Sequence, residues 1–161
     1  MKFQLAINLE RNNPQIEMKK VMAHTLDMVK VADQGGFNIV WAAEHHGLEM
    51  NIGPNPFQIL VWWAHHTERI RLGTAVAVAA YWNPIKLAGE AAFTDQLTDG
   101  RLEFGIGSGA YQREFDRMKP GLKQQDAHRY MQEMLPAVKS LWQSGQESSR
   151  MTSCLLALEK R

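Results

Sequence analysis

With 161 residues, 45% of them hydrophobic and 22% charged, the chain has the balance of a globular domain with a core, which argues against disorder along its whole length. Lys and Arg total 18 against 17 for Asp and Glu, a formal charge of +1 that supplies no field for nucleic acid or an anionic membrane, so neither is expected as a partner. No apolar run is long enough to span a bilayer, the opening MKFQLAINLERNN lacks the features of a secretory signal, and the lone Cys154 excludes an internal disulfide, so the expected compartment is the cytoplasm.

Residues 2–9 alternate, with Phe3, Leu5, Ile7 and Leu9 on one side, which predicts a first strand. After the Asn12-Asn13-Pro14 turn, Met18, Val21, Met22, Thr25, Val29 and Ala32 recur at helical spacing, predicting a helix over 16–34 stopped by Gly35-Gly36. FNIVWA (37–42) is apolar without alternation, the pattern of a parallel strand covered on both faces. Asn55-Pro56 reads as a helix cap followed by proline, opening a second helix to about His66. IRLGTAVAV (70–78) predicts a third strand, and Asn83-Pro84 repeats the cap for a third helix through about Leu97, ending at Asp99-Gly100. RLEFGIG (101–107) predicts a fourth strand, and residues 126–142 a fourth helix kinked at Pro136.

Four strand-then-helix units imply a parallel α/β sheet with right-handed crossovers, either doubly wound or part of a (β/α)8 barrel. No Gly-x-Gly-x-x-Gly follows the first strand, which favours the barrel. From Ser144 onward the composition turns small and polar, so residues 1–143 read as the folded unit. Residues 144–161 read as an atypical tail: a frayed end, a short amphipathic helix, or a stretch unrelated to the fold.

The segment Glu44-His45-His46 sets two imidazoles and a carboxylate just after the second strand, the catalytic rim in a barrel. An imidazole can move protons near neutral pH while a carboxylate fixes its tautomer; hydrogen-bonded histidines with no chemical role are the plain alternative. Neighbours on an extended chain point to opposite sides, so His45 and His46 are not expected to chelate one metal, and no metal site is expected. In Gly107-Ser108-Gly109 the glycines would let backbone amides approach an anion and the serine would add a donor, although a tight turn alone also explains them. Tyr111 either lines the same pocket or lies on the surface.

Taken together, strand two with Glu44-His45-His46, then Asn55-Pro56, Gly73-Thr74-Ala75, Asn83-Pro84, Asp95-Gln96-Leu97-Thr98-Asp99-Gly100-Arg101 and Phe104-Gly105-Ile106-Gly107-Ser108-Gly109, resemble the amino-terminal half of luciferase-like flavin-dependent monooxygenases. That resemblance implies a (β/α)8 barrel that binds reduced FMN at the carboxyl ends of its strands and oxygenates a small organic substrate. His45 matches the family's active-site histidine, with Glu44 or a backbone group expected to orient its ring. Ala75 and Val76 match the segment that lies against the flavin, where the family can hold a non-proline cis peptide. Gly107, Ser108 and Gly109 would contact the flavin phosphate, although luciferase carries an arginine where Ser108 stands.

The resemblance also implies a flavin reductase as supplier of reduced FMN, and a homo- or heterodimer through helices two and three, where Trp62, Trp63, His65 and His66 cannot all face one core. Only four of eight barrel strands are visible, so the chain reads as a truncated half-barrel whose own turnover is in question. Three other readings stand beside the oxygenase: a non-catalytic flavin-binding or dimerising relic, a deazaflavin-dependent oxidoreductase of the same superfamily, and a metal-dependent barrel hydrolase.

Overall fold

The computed structural model describes residues 1–48 and 51–144. Strands β1 (Gln4–Ile7), β2 (Ile39–Ala42), β5 (Arg71–Thr74) and β7 (Leu102–Glu103) form one parallel sheet in the order β1-β2-β5-β7. Spatial order equals chain order, with no reversal. That is how a barrel wall runs; a doubly wound sheet would turn back at a switch point.

Two helices pack against one face of this wall. Ile7, Val40, Ala42 and Leu72 join Leu26, Val29 and Ala32 of helix α1 (Met18–Gln34) and Leu60 and Trp63 of α2 (Pro56–Ala64) in one core cluster. A second cluster joins Leu87, Ala88, Ala91 and Ala92 of α3 (Pro84–Leu97) to Met134 and Val138 of α5 (His128–Ser144). The opposite face is more polar: Trp41 Nε1 donates to Gln4 Oε1 at 2.9 Å, and Arg71 pairs with Glu103. Ile39 and Trp41 on this face are half-buried, so the expectation that β2 is covered on both sides holds for one side only.

The two Asn-Pro caps form as the sequence implies. Asn55 Oδ1 accepts from the amides of Phe57 and Gln58, and Asn83 Oδ1 from those of Ile85 and Lys86. Helix α1 stops where Gly36 turns to φ +76°. Helix α2 ends at Ala64, so His65 and His66 lie beyond it and are exposed, while Trp63 is fully buried and Trp62 half-buried. Pro136 sits within α5, on its exposed side.

Four features depart from the sequence reading. The third and fourth strands are each broken in two: β5 yields to β6 (Ala77–Val78), and β7 to β8 (Ile106–Gly107), which pairs with β6. The cause is local, because the Thr74 hydroxyl donates to the Gly105 carbonyl at 2.7 Å and accepts from the Gly105 amide at 2.9 Å, replacing the backbone ladder at the gap. The Ala75–Val76 peptide in that gap is cis, a form that the family resemblance allowed. Next, His45–Leu48 (β3) and Asn51–Gly53 (β4) form an antiparallel pair where a loop was expected. Last, an unforeseen short helix α4 (Gln112–Met118) precedes α5, which starts at His128. Residues 145–161, most of the anticipated tail, lie outside the described residues. Among the described residues no helix is long and apolar enough to cross a membrane.

Candidate active site

Strand β2 stops at Ala42, and the chain enters β3 through Glu44, so both histidines stand at the carboxyl end of the parallel sheet. Helix α4 lies over β3 and is tied to it by Arg117, whose Nη1 donates to the Gly47 carbonyl. Its inner side buries Glu114 and Phe115 together. The geometry therefore brings two carboxylates to two neighbouring imidazoles.

Each ring has its own partner. His45 Nδ1 lies 3.2 Å from Glu114 Oε1, and the same oxygen accepts from the backbone N–H of His46 at 2.6 Å. His46 Nε2 lies 2.7 Å from Glu44 Oε1. The other Glu44 oxygen accepts from the Val78 amide at 2.7 Å and from Trp82 Nε1 at 2.8 Å. The carboxylate that reaches His45 is thus Glu114, whereas Glu44 serves His46, which corrects the expected pairing. The alternation of an extended chain explains this, since it sends the two rings to opposite sides.

Sequence reasoning missed Glu114 because an acid in the first turn of a helix ordinarily reads as a solvated complement to the helix dipole. The available signal was its neighbour Phe115, a large apolar residue on so short a helix. Both carboxylates are nearly inaccessible, with side-chain exposures of 3% for Glu114 and 1% for Glu44, against 15% for His45 and 16% for His46. Buried carboxylates need compensation of this kind, and here backbone and indole donors supply it alongside the imidazoles.

Tyr81 stands between the two pairs. Its ring meets His46 edge-on at 5.3 Å and Phe115 at 5.1 Å, and its hydroxyl is buried without a hydrogen-bond partner among the described residues. Burial first, and then the negative charges of Glu114 and Glu44, push its phenol well above the ordinary value. It stays neutral throughout the range in which a histidine titrates.

The remaining candidates gather along the same rim. Ala75 is exposed and Val76 half-buried, although Thr74 and Ala77 on either side are buried, leaving a small apolar strip open at the strand ends. Such a strip suits the face of a flat ring system, so these residues fit a flavin. Gly107 and Gly109 have packing reasons for lacking a side chain: a Cβ at Gly107 would fall 2.6 Å from Val76 Cγ2, and Gly109, at φ +83°, lies against Phe115 and Val78. Ser108 between them is half-buried, and its hydroxyl has no partner among the described residues. Ser108 and His45 follow strands that end at the same edge, without touching. Tyr111 does reach the histidine, with ring centroids 5.7 Å apart.

Beside Tyr111 lies a cleft of about 410 Å³ lined by Asn8, Glu10, Leu48, Asn51, Tyr111 and Arg113. A larger groove of about 680 Å³ lies elsewhere, between α2 and α3, and none of the rim residues lines it. Among the described residues no group of three His, Cys, Asp or Glu side chains gathers as a metal site would require.

Comparison with known proteins bears on the family and the fold. The chain is 42% identical over 147 residues to the oxygenase component of flavin-dependent trigonelline monooxygenase from Acinetobacter baylyi, covering 91% of this chain and 41% of that protein. It is 30% identical over 102 residues to the alkanal monooxygenase alpha chain of Photorhabdus luminescens, covering 63% of this chain and 28% of that protein. The chain thus spans well under half the length of these relatives.

Among solved structures, monooxygenase RslO1 from Streptomyces bottropensis superposes with a TM-score of 0.79 at 28% identity, over 88% of this chain and 43% of that one. The oxygenating constituent of 3,6-diketocamphane monooxygenase from Pseudomonas putida, solved with FMN, gives 0.77 at 22% identity, over 88% and 39%. The family model for luciferase-like monooxygenases matches residues 1–153. With the family model matching nearly the whole chain and these likenesses in agreement, the chain belongs to the luciferase-like monooxygenase family, whose members are oxidoreductases.

Proposed function

We propose that this chain forms the histidine-bearing half of a flavin-dependent monooxygenase site. The observation that carries the reading is the pair of imidazoles, each on its own buried carboxylate, beside the open Ala75-Val76 strip. Reduced FMN, when bound, supplies the electrons that activate dioxygen. Ala75 and Val76 would support its ring, while Ser108, between Gly107 and Gly109, offers a free hydroxyl to its phosphate. His45 would accept and return a proton at the ring nitrogen that Glu114 leaves free. Glu44 acts one residue away, holding His46 and the indole of Trp82 in place.

The substrate class proposed is a small aromatic zwitterion of the trigonelline kind, an N-methylpyridinium carboxylate. Support comes from the cleft beside Tyr111, which offers the Arg113 guanidinium for a carboxylate, the Glu10 carboxylate for a cation, and an aromatic ring between. A flavin reductase is the partner proposed to supply reduced cofactor. A second luciferase-like subunit is proposed to cover the groove between α2 and α3, where Ile85, Phe93 and Leu97 are all about half exposed or more.

The test is titration of the 161-residue chain with reduced FMN, with and without trigonelline, followed by oxygen uptake. Saturable FMN binding and substrate-dependent uptake are expected. Flavin oxidation at the free rate with no saturable binding would leave a non-catalytic relic, and preferential binding of a deazaflavin with hydride transfer would replace oxygenation. Sedimentation of the chain beside Phe93→Glu checks the subunit face, since loss of a dimer in the variant alone is expected.

A further inference from the structure

The two neighbouring imidazoles do not share a partner, and each partner's other contacts fix what it can offer. Glu114 Oε1 already accepts from the His46 backbone N–H, and the carboxylate has no proton to give, so His45 must present N–H at Nδ1 to meet it. Its second oxygen, 3.4 Å from the same Nδ1, reinforces that demand. Glu44 Oε2 is taken by two donors, Val78 N–H and Trp82 Nε1–H, and its Oε1 faces His46 Nε2, so His46 must carry its proton there. The geometry points to a tautomer lock: His45 is held as the Nδ1–H form and His46 as the Nε2–H form, with Glu114 the positioning residue for His45.

The consequence for chemistry is asymmetric. A histidine side chain in water favours the Nε2–H form, so Glu114 holds His45 in the less common state, with the lone pair of Nε2 available as a base. His46 is left with Nδ1 free, a nitrogen crowded by its own backbone. Two adjacent histidines in one site therefore take different jobs, although both carry the same group. This deepens the monooxygenase reading and rests on it only for the identity of the proton's donor. The lock itself is a property of the polypeptide.

Because nitrogen-15 shifts distinguish the two tautomers, the experiment is a long-range proton–nitrogen correlation spectrum of the labelled 161-residue chain, without flavin, at a pH where both rings are neutral. In the native chain one site histidine should show a protonated Nδ1 and the other a protonated Nε2. Glu114→Gln should invert His45 alone. Its amide oxygen must still accept from the His46 N–H, and with the charge gone and an –NH2 in place of the second oxygen 3.4 Å from His45 Nδ1, the Nδ1–H form loses its hold and the ring reverts to the Nε2–H form favoured in water. Glu44→Gln should invert His46 alone, since the Val78 and Trp82 donors hold its oxygen and leave the –NH2 facing His46 Nε2.

A native spectrum with both histidines protonated at Nε2 overturns the inference even if neither variant folds. So does a Glu44→Gln spectrum in which His45 moves. In the flavin-loaded protein, Glu114→Gln should lower kcat on the order of 10²-fold with KM changed less than about twofold. Tautomer inversion without that loss would keep the lock and remove His45 from the proton path. Absence of any turnover in the native chain would instead count against the monooxygenase reading while the spectra still decide the lock.

Discussion

Where the strands of the sheet begin, Asp33 at the end of α1 is buried and accepts the backbone N–H groups of Glu68, Arg69 and Ile70; where they stop, Glu44 and Glu114 are buried more deeply still and meet imidazoles. The difference lies in the donors. Burial on its own would push the Asp33 carboxyl up, but the three amides and the Arg69 charge outweigh it and hold that group below the usual carboxylate value. Its donors never lose their protons, so the contact fastens one loop to one helix. At the other end the partners include two imidazoles, groups able to give and take a proton, so burial there prepares chemistry as well as structure.

This contrast breaks if a change at the starting edge disturbs the histidines. Asp33→Ala orphans amides that include the buried Ile70 N–H, and is expected to cost about 3 kcal/mol in urea unfolding while leaving both histidine spectra unchanged. The pH dependence follows in sign. A carboxyl held low in the folded state stabilises above its unfolded value, about pH 3.9, and that contribution disappears as pH falls through the folded value. The gap between native and variant stability should therefore be full at neutral pH and narrow in acid below about pH 4, leaving the part due to the orphaned amides, as read by denaturation midpoints.

Glu44→Gln sharpens the comparison at the opposite edge. It keeps an acceptor for Val78 and Trp82 but loses the charge, so a cost of about 1–2 kcal/mol is expected, with a change in tryptophan fluorescence as Trp82 feels a neutral neighbour. A cost as large as that of Asp33→Ala would make Glu44 a fastener of the same kind. Asn55→Ala serves as the baseline. It removes a helix cap that lies two residues past Gly53, the cross-strand partner of His45, but touches neither imidazole, and about 1 kcal/mol of stability should go with no change in either histidine's tautomer.

The wall of the fold was readable because its signals are local. Strand alternation at Leu5 and Ile7, helical spacing through Val29 and Ala32, and the two Asn-Pro caps each act within a turn or two of chain. The β3–β4 pair and α4 were not, because His45–Leu48 has no apolar alternation and Gln112–Met118 has only Phe115 as a strong core residue. Both elements exist through contacts with each other, about seventy positions apart, such as Arg117 with Gly47. His45 itself was found as part of a motif. Its partner was not, because no local pattern tells a first-turn glutamate facing water from one turned inward.

The Thr74 hydroxyl, which both gives to and takes from Gly105, does for two diverging strands what a third peptide would otherwise do. Serine could fill that office, since it keeps the oxygen. Valine could not, despite an almost identical outline, because the glycine amide would lose its acceptor at the seam. One alcohol thus joins the β6–β8 backbone pairing in setting how the Ala75-Val76 strip lies beside the Gly107-Ser108-Gly109 turn.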